Sequence, residues 1–167
     1  THIPPTTTRM MMPGAWREND RVRRDGSAVL AAAAIAVGVP RFVQESFAPI
    51  YEDGGAEWID ETHPVRPAPY NRSSLDAERA AASVTAAGGT GIVLRFSAFY
   101  GPDSNLLREM LGAVRRGWSP LPGAPDAYVS SISHDDAATA VVAALGIGSG
   151  CYTVTDDEPV TRGEWAQ

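Results

Sequence analysis

The chain of 167 residues carries 14 Lys and Arg against 20 Asp and Glu, a formal net charge of −6, and 44% of its residues are hydrophobic. This length and composition predict one globular domain with a substantial core. The acidic balance argues against a nucleic-acid partner, which would need a basic patch, and the longest apolar run, 28–40, is too short to cross a membrane.

The single cysteine, Cys151, cannot form an internal disulfide, which fits a reducing cytoplasm. No secretory signal is present, so a cytoplasmic location is expected. The three histidines, His2, His63 and His134, lack the spacing of a metal-binding set. The missing initial methionine and a helix signal beginning at Thr161 predict that the chain is a piece of a longer polypeptide.

In chain order, the first half of the sequence alternates helix and strand signals. Residues 1–5 predict the end of a strand and residues 6–14 a series of turns. Apolar residues at helical spacing, including Val22, Val29 and Val37, predict a helix from about residue 15 that Gly38 and Pro40 end, with its alanine-rich part buried. Residues 41–46 predict a strand. Residues 47–69, rich in Pro and Gly, predict a long loop of the kind that is usually functional.

The second half continues the alternation. A helix is predicted over 70–87 with Ala77, Ala80, Ala81 and Val84 facing inward, followed by a buried strand over 92–96. An amphipathic helix over 104–117 and strands over 127–133 and 151–154 follow. Between these strands, Asp135 or Asp136 is predicted to cap a helix with the apolar stripe Ala138, Val141, Val142 and Leu145. This order predicts an α/β fold with a mainly parallel sheet.

Three motifs give the sequence its strongest functional signal. Ser46 ends an apolar strand, Tyr70 opens a helix, and the next strand runs from Arg95 into Tyr100-Gly101-Pro102. This order resembles the extended short-chain dehydrogenase/reductase family, which includes the nucleotide-sugar epimerases and dehydratases. The similarity runs nearly end to end, since residues 135–136 and 155–161 also match late segments of that family.

The resemblance implies a Rossmann-like, mainly parallel sheet with flanking helices. Residues 1–117 would form the Rossmann-like part, and residues 118–167 would begin a smaller substrate-binding part. The N-terminal βαβ unit, whose glycine-rich turn holds the dinucleotide pyrophosphate, is missing from this sequence. The two glycine-rich stretches, 88–91 and 146–150, each follow a helix and precede a strand, which is the reverse of the dinucleotide fingerprint.

The resemblance also implies an NAD(P)-dependent, epimerase- or dehydratase-like oxidoreductase or isomerase that acts on a small molecule, possibly a nucleotide-sugar. Tyr70 would shuttle a proton, Ser46 would orient the substrate oxygen, and Ser74 takes the catalytic lysine's position. The predicted lining of the NAD or NADP site is Thr1, His2, Tyr70, Phe96 and Ala98. The predicted substrate-facing residues are Tyr100, Leu121 and Tyr128. Relatives often dimerise through the helices that here begin near residues 15 and 70, so a homodimer is expected.

Two departures from the family pattern leave alternatives open. A free tyrosine has a pKa near 10, so using its phenolate at pH 7 costs about 4 kcal/mol, and Ser74 carries no charge that could reduce this cost. The serine of the family lies four residues before an aromatic residue, which from Tyr51 points to Phe47, so Ser46 lies one position early. Tyr70 and Ser46 are therefore either catalytic or structural, Ser46 then satisfying backbone groups at the strand end.

Three functions stay open on this basis. The chain is an enzyme part, a catalytically degenerate dinucleotide-binding or interaction module of the same fold, or a fragment with no function of its own. A hydrolase triad within residues 130–136 is excluded, because neighbouring residues on one strand point to opposite faces of the sheet.

Overall fold

The computed structural model of the chain describes residues 3–4, 6–117 and 123–165. The helices are α1 (Thr7–Met10), α2 (Arg17–Arg21), α3 (Ser27–Ala36), α4 (Ser73–Ala86), α5 (Asn105–Val114), α6 (His134–Ala144) and α7 (Arg162–Trp165). The strands are β1 (Arg41–Phe47), β2 (Thr90–Phe96), β3 (Ala98–Tyr100), β4 (Tyr128–Val129), β5 (Ser131–Ser133), β6 (Gly150–Val154) and β7 (Val160–Thr161). Across these three stretches of chain, no helix is long and apolar enough to cross a membrane.

The main sheet confirms the predicted α/β architecture with parallel strands. Its strand order is β1-β2-β6 and both pairings are parallel, while β3 pairs with β5 in parallel and β4 pairs with β7 in antiparallel orientation. β2 is the central strand, and residues 91–96 are all buried. A central parallel strand is covered on both faces, which explains its nearly continuous apolar sequence.

Helices cover both faces of the sheet. On one face, Ile92, Leu94 and Phe96 pack with Ala137 and Ala144 of α6. On the other face, α3 and α4 form a smaller core whose buried members are Ala31, Ala80 and Val84. The small side chains allow α4 to approach the sheet closely, and a Cβ atom at Gly91 would overlap the Ala81 carbonyl.

The prediction for α4 is confirmed on its inward face and corrected at its start. Its four predicted inward residues are all 7% exposed or less. The helix begins at Ser73, so Tyr70 lies in the turn that precedes it. Ahead of that turn, the long loop closes on itself, because Tyr51 forms an antiparallel bridge with Val65.

The predicted helix from about residue 15 is interrupted, and the side that it buries is not the predicted one. A π-helical turn, Val22–Gly26, separates α2 from α3. The expected burial of the alanine-rich stretch is wrong for one side of α3, because Val29 and Leu30 are 68% and 63% exposed. The buried side carries Asn19, Arg23 and Ser27 before it reaches Ala31 and Ala34.

Three further predictions are corrected. The strand predicted over 127–133 breaks at Ser130 into β4 and β5, which belong to different sheets. The N-cap of α6 is Ser133, whose Oγ accepts a hydrogen bond from the Asp136 backbone, so the two aspartates lie in the first turn. The predicted apolar stripe of α6 is largely exposed, at 68% for Val142 and 60% for Leu145. Residues 6–14, predicted as turns, also contain the short helix α1.

Candidate active site

Ser46 and Phe96 lie at the carboxyl ends of β1 and β2, and Ala98 follows shortly after β2. The loops that follow the carboxyl ends of parallel strands are where α/β proteins bind ligands. Of the predicted residues, Thr1, His2 and Leu121 lie outside the described part of the chain. The others divide into side chains that reach the surface and side chains that are enclosed.

Tyr70 is the most accessible of the three predicted catalytic residues. It is 41% exposed, and its ring centroid lies 5.3 Å from that of Trp16. The turn that carries Tyr70 is fixed by Asn71, whose Nδ2 donates to the Pro49 carbonyl at 3.0 Å and whose backbone N donates to the Ala68 carbonyl at 3.1 Å. The ring is therefore held against an aromatic neighbour while part of it faces solvent.

Ser74 is enclosed and is bound by an arginine from another element. It is 0% exposed, and its Oγ accepts a hydrogen bond from Arg23 Nη1 at 3.1 Å. The Nη2 atom of the same guanidinium lies 2.9 Å from Glu45 Oε1. Position 74 has no charge of its own, but a buried positive charge lies directly against it.

Ser46 lies on the sheet face that α4 covers. It is 0% exposed, and its Oγ donates to Glu78 Oε1 at 2.6 Å. In the register of the sheet, Ser46 is opposite Arg95, which also binds Glu78. The structure places Tyr70 and Ser74 at the same end of α4, and it places Ser46 in an internal hydrogen-bond network.

A buried ion pair between Arg95 of β2 and Glu78 of α4 lies next to Ser46. Arg95 Nε and Nη2 each lie 2.8 Å from a different carboxylate oxygen of Glu78, and the side chains are only 9% and 14% exposed. These hydrogen bonds raise the pKa of the Arg95 guanidinium, against the opposing effect of burial. The guanidinium also lies 4.9 Å from the ring centroid of Tyr51, whose hydroxyl is 2.8 Å from Thr153 Oγ1.

The predicted cofactor-side residues after β2 differ in accessibility. Phe96 is 3% exposed and packs against Phe99, with ring centroids 5.3 Å apart, whereas Ala98 is exposed. Between them, Ser97 is 1% exposed, and its Oγ has no hydrogen-bond partner among the described residues. This orphaned hydroxyl is a polar group at the carboxyl end of the central strand that a ligand could satisfy.

The two described substrate-side residues are exposed aromatic side chains. Tyr100 is 40% exposed and Tyr128 is 50% exposed. The negative charge of Asp156 is the main cause that raises the pKa of Tyr100, and this phenol therefore stays protonated over a wide pH range. Asp156 also accepts a hydrogen bond from Ser131 Oγ at 3.1 Å.

The neighbouring stretch 133–136 contributes a helix cap and a ring contact. Ser133 caps α6, and the His134 ring lies 6.0 Å from the Phe99 ring centroid. Over residues 3–4, 6–117 and 123–165, no group of three or more His, Cys, Asp or Glu side chains could hold a metal ion.

Sequence reasoning missed Arg23. The residue lies on a polar stripe with Asn19 and Ser27, and these three are 0–7% exposed. A search for apolar residues at helical spacing selects the opposite side of the helix, so the signal that could have found Arg23 is the polar i, i+4, i+8 pattern itself.

Cys151 lies in a groove beside α4 that Glu78 and Ala82 also line. Burial raises the pKa of its thiol to about 11 from the ordinary 9.0, although the charge of Arg95 acts in the opposite direction. The thiolate is the reactive form, so its fraction at pH 7 falls about a hundredfold.

We expect iodoacetamide at pH 7 to alkylate Cys151 at least about a hundredfold more slowly in the folded chain than in the urea-unfolded chain. The rate in the folded chain should rise as the pH approaches the thiol pKa of about 11. The Cys151→Ser variant, which has no thiol, is the control. Equal rates in the folded and unfolded chains would contradict this prediction.

The sequence profile described as the NAD dependent epimerase/dehydratase family matches residues 19–149. The chain belongs to the NAD-dependent epimerase/dehydratase family. The matched region contains Tyr70, Ser74, Ser46 and the network around Glu78. Membership in this family confirms the resemblance drawn from the sequence motifs.

Individual members of the epimerase/dehydratase family and their structures are also similar to the chain. A Streptomyces protein, 3-diazoavenalumate denitrifying reductase, is 34% identical in an alignment 164 residues long that covers 92% of this chain and 53% of the relative. The UDP-N-acetylglucosamine 4-epimerase of Methanobrevibacter ruminantium, in complex with UDP-N-acetylmuramic acid, aligns with TM-score 0.75 and 19% identity over 92% of this chain and 54% of its own.

A Thermus thermophilus UDP-glucose 4-epimerase in complex with NAD aligns with TM-score 0.72 and 23% identity, over 98% of this chain and 56% of its own. At this level of identity, these solved structures establish a shared fold. The chain spans about half the length of the relatives it matches.

Proposed function

We propose that the chain is part of an NAD(P)-dependent reductase of the epimerase/dehydratase family in which Tyr70 donates a proton to the substrate. One observation carries this proposal. Among the three predicted catalytic residues, Tyr70 alone is exposed, at 41%, while Ser46 and Ser74 are 0% exposed and bound to other side chains. A single accessible phenol suits proton donation better than the full tyrosine, serine and lysine mechanism.

The residues present fit the nicotinamide end of the cofactor. Ser97, with its orphaned hydroxyl, and the exposed Ala98 lie where the central strand ends, close in sequence to the buried Phe96. Thr1, His2 and Tyr70 complete the proposed lining. When bound, the reduced cofactor would supply a hydride. We propose that the pyrophosphate-binding turn comes from sequence outside this chain, in keeping with the half-length coverage of its relatives.

The direction of the reaction follows from the resting form of the phenol. Oxidising a substrate hydroxyl requires a phenolate as base, which is the minor form of a tyrosine at pH 7. Reduction starts from the neutral phenol, which predominates, and the phenolate that forms is stabilised by positive charge nearby before solvent returns its proton. The neutral resting form therefore favours reduction over the oxidation that an epimerase or dehydratase cycle begins with.

For the substrate, we propose a diazo compound, with reductive loss of nitrogen as the reaction class. The name of the Streptomyces relative describes such a reaction. One proton and one hydride form two new C–H bonds at the diazo carbon. The C–N bond breaks and its electrons leave with N₂, so atoms and electrons balance. Tyr70 would supply the proton, while Tyr100 and Tyr128 would line the substrate side with Leu121. A nucleotide-sugar, as in the complex of the Methanobrevibacter epimerase, is the competing substrate.

The test combines cofactor binding with turnover, using the protein at the length that its gene encodes. Calorimetric titration with NAD⁺, NADH, NADP⁺ and NADPH identifies the cofactor. We expect the preferred reduced cofactor to be consumed with an α-diazo ester, a diazo compound that takes up both a proton and a hydride at carbon, and N₂ to be released, above the rate without protein. Interconversion of UDP-glucose and its epimer without net cofactor consumption would contradict the reductase proposal and favour a nucleotide-sugar epimerase.

A catalytically silent dinucleotide-binding or interaction module is the second candidate. The enclosure of Ser46 and Ser74 in internal hydrogen bonds is the observation that favours it. Turnover that arises only in the Ser74→Lys variant would support this reading.

A homodimer in the cytoplasm is also proposed. The exposed apolar side chains of α3, such as Val29 and Leu30, support the association of two copies.

A further inference from the structure

Arg23 is a buried cation at the start of α4. It is 7% exposed, and its two terminal nitrogens bind Ser74 at 3.1 Å and Glu45 at 2.9 Å. Its Nε is buried without a hydrogen-bond partner among the described residues. The guanidinium is therefore largely removed from water, and its charge is balanced by a single carboxylate whose side chain is 36% exposed.

Its location is unfavourable for stability. The first turn of a helix carries a partial positive charge from its free N–H groups, so a cation near it is destabilising. Removing a charged group from water adds a further cost unless the group is fully paired. The nearby Asp20 does not pair with Arg23, since its Oδ1 accepts a hydrogen bond from Ser73 Oγ at 2.7 Å. An apolar side chain would avoid these costs, so the ion pair with Glu45 does not by itself favour an arginine here.

The same packing surface holds Arg23 and Tyr70. The segment formed by α2 and the π-helical turn lies along the start of α4, with Trp16 against the Tyr70 ring at 5.3 Å between centroids and Asp20 bound to Ser73 one helical turn further on. Arg23 lies at the end of this surface. The contacts couple the position of Tyr70 to that of the segment that delivers the guanidinium.

We propose that Arg23 is a positioning residue for Tyr70 and that it supplies, across Ser74, the positive charge that a lysine at position 74 would supply. An arginine side chain is always protonated, so this charge is present at every working pH. As Tyr70 gives its proton to the substrate, negative charge develops on the phenol oxygen, and a fixed, desolvated cation behind the helix start stabilises it. The inference rests on the proposed function, because it concerns the step in which Tyr70 acts.

The first experiment separates kcat from KM with the α-diazo ester and the preferred reduced cofactor. We expect Arg23→Gln to lower kcat at least about tenfold with KM and cofactor affinity unchanged, because the charge acts only as the proton moves. Arg23→Lys keeps the charge and should retain most of kcat. The matched control is Arg21→Gln, which removes a 63% exposed arginine from the same segment and should leave kcat unchanged.

The second experiment moves the charge. In the double variant Arg23→Gln/Ser74→Lys, a lysine at position 74 carries the positive charge in place of Arg23, and kcat should recover. A separate variant, Glu45→Gln, breaks the ion pair but keeps the arginine. If Arg23 served only to join β1 to α4, then Glu45→Gln would lose as much kcat as Arg23→Gln and Ser74→Lys would restore nothing.

The outcomes distinguish this inference from the proposed function. Wild-type kcat in Arg23→Gln, together with a loss in Tyr70→Phe, overturns the role of Arg23 and leaves the function standing. Full activity in Tyr70→Phe overturns the function itself. Thermal unfolding accompanies each variant. If Arg23→Gln unfolds at the assay temperature, Arg23→Lys and the double variant decide, and loss of kcat in both folded proteins overturns the proposal.

Discussion

Replacing Glu78 by alanine is expected to destabilise the fold by about 3–5 kcal/mol, a large part of the total stability of a domain this size. The carboxylate accepts three hydrogen bonds, two from Arg95 at 2.8 Å each and one from Ser46 at 2.6 Å. Its removal leaves a 9% exposed guanidinium without a counter-charge and a fully buried hydroxyl without its acceptor. Urea unfolding followed by circular dichroism should show a lower midpoint at unchanged slope.

A matched control lies on the same helix. Arg79 pairs with Asp76, but its side chain is 70% exposed, so Arg79→Ala should cost less than about 1 kcal/mol. The double variant Glu78→Met/Arg95→Met removes both charges and should be more stable than Glu78→Ala, since no unpaired charge remains. A midpoint for Glu78→Ala equal to that of Arg79→Ala would contradict this account.

The sequence predicts the sheet well because its local signals agree with the long-range contacts. Residues 92–96 are apolar except for Arg95, and the structure covers that strand on both faces. The alanines of α4 recur at helical spacing and face the sheet as expected. In both segments, the apolar pattern identifies most of the buried residues, but not Arg95 or Ser74.

The same logic fails where a buried interface is polar. Arg23 is enclosed because its partner Ser74, 51 residues later, is also polar. Hydrophobic periodicity contains no information about such a pair, and it selects Val29 and Leu30, which the fold leaves exposed. The failed prediction for α6 has the same form, since its larger residues, such as Val142, face outward while Ala137 and Ala144 pack inward.

The candidate site could be predicted only in part for a related reason. The position of Tyr70 before a helix follows from the sequence, and the structure leaves it accessible. Whether Ser46 faces a ligand or the interior depends on Glu78, 32 residues further along the chain, which accepts its hydrogen bond. A motif specifies residue types and their spacing, but the partner that occupies a hydroxyl is set by packing between distant segments.

Tyr70→Phe is expected to lower kcat by roughly a hundredfold or more while leaving cofactor affinity and stability near their original values. The substitution removes only the hydroxyl, and the phenyl ring can keep the contact with Trp16, whose centroid lies 5.3 Å away. The measurement is steady-state consumption of the reduced cofactor with the α-diazo ester, together with calorimetry of cofactor binding and thermal unfolding.

The matched control is Tyr152→Phe, which removes a phenol hydroxyl that donates to the Gly148 carbonyl at 3.2 Å, ahead of β6 and away from the strand ends that carry the site. This variant should keep full turnover. A hundredfold loss confined to Tyr70→Phe, with cofactor binding intact, identifies the phenol as the proton donor. If both variants turn over like the unmodified protein, hydride transfer proceeds without Tyr70. Ser74 would then lack a charge because this chemistry never required an activated tyrosine.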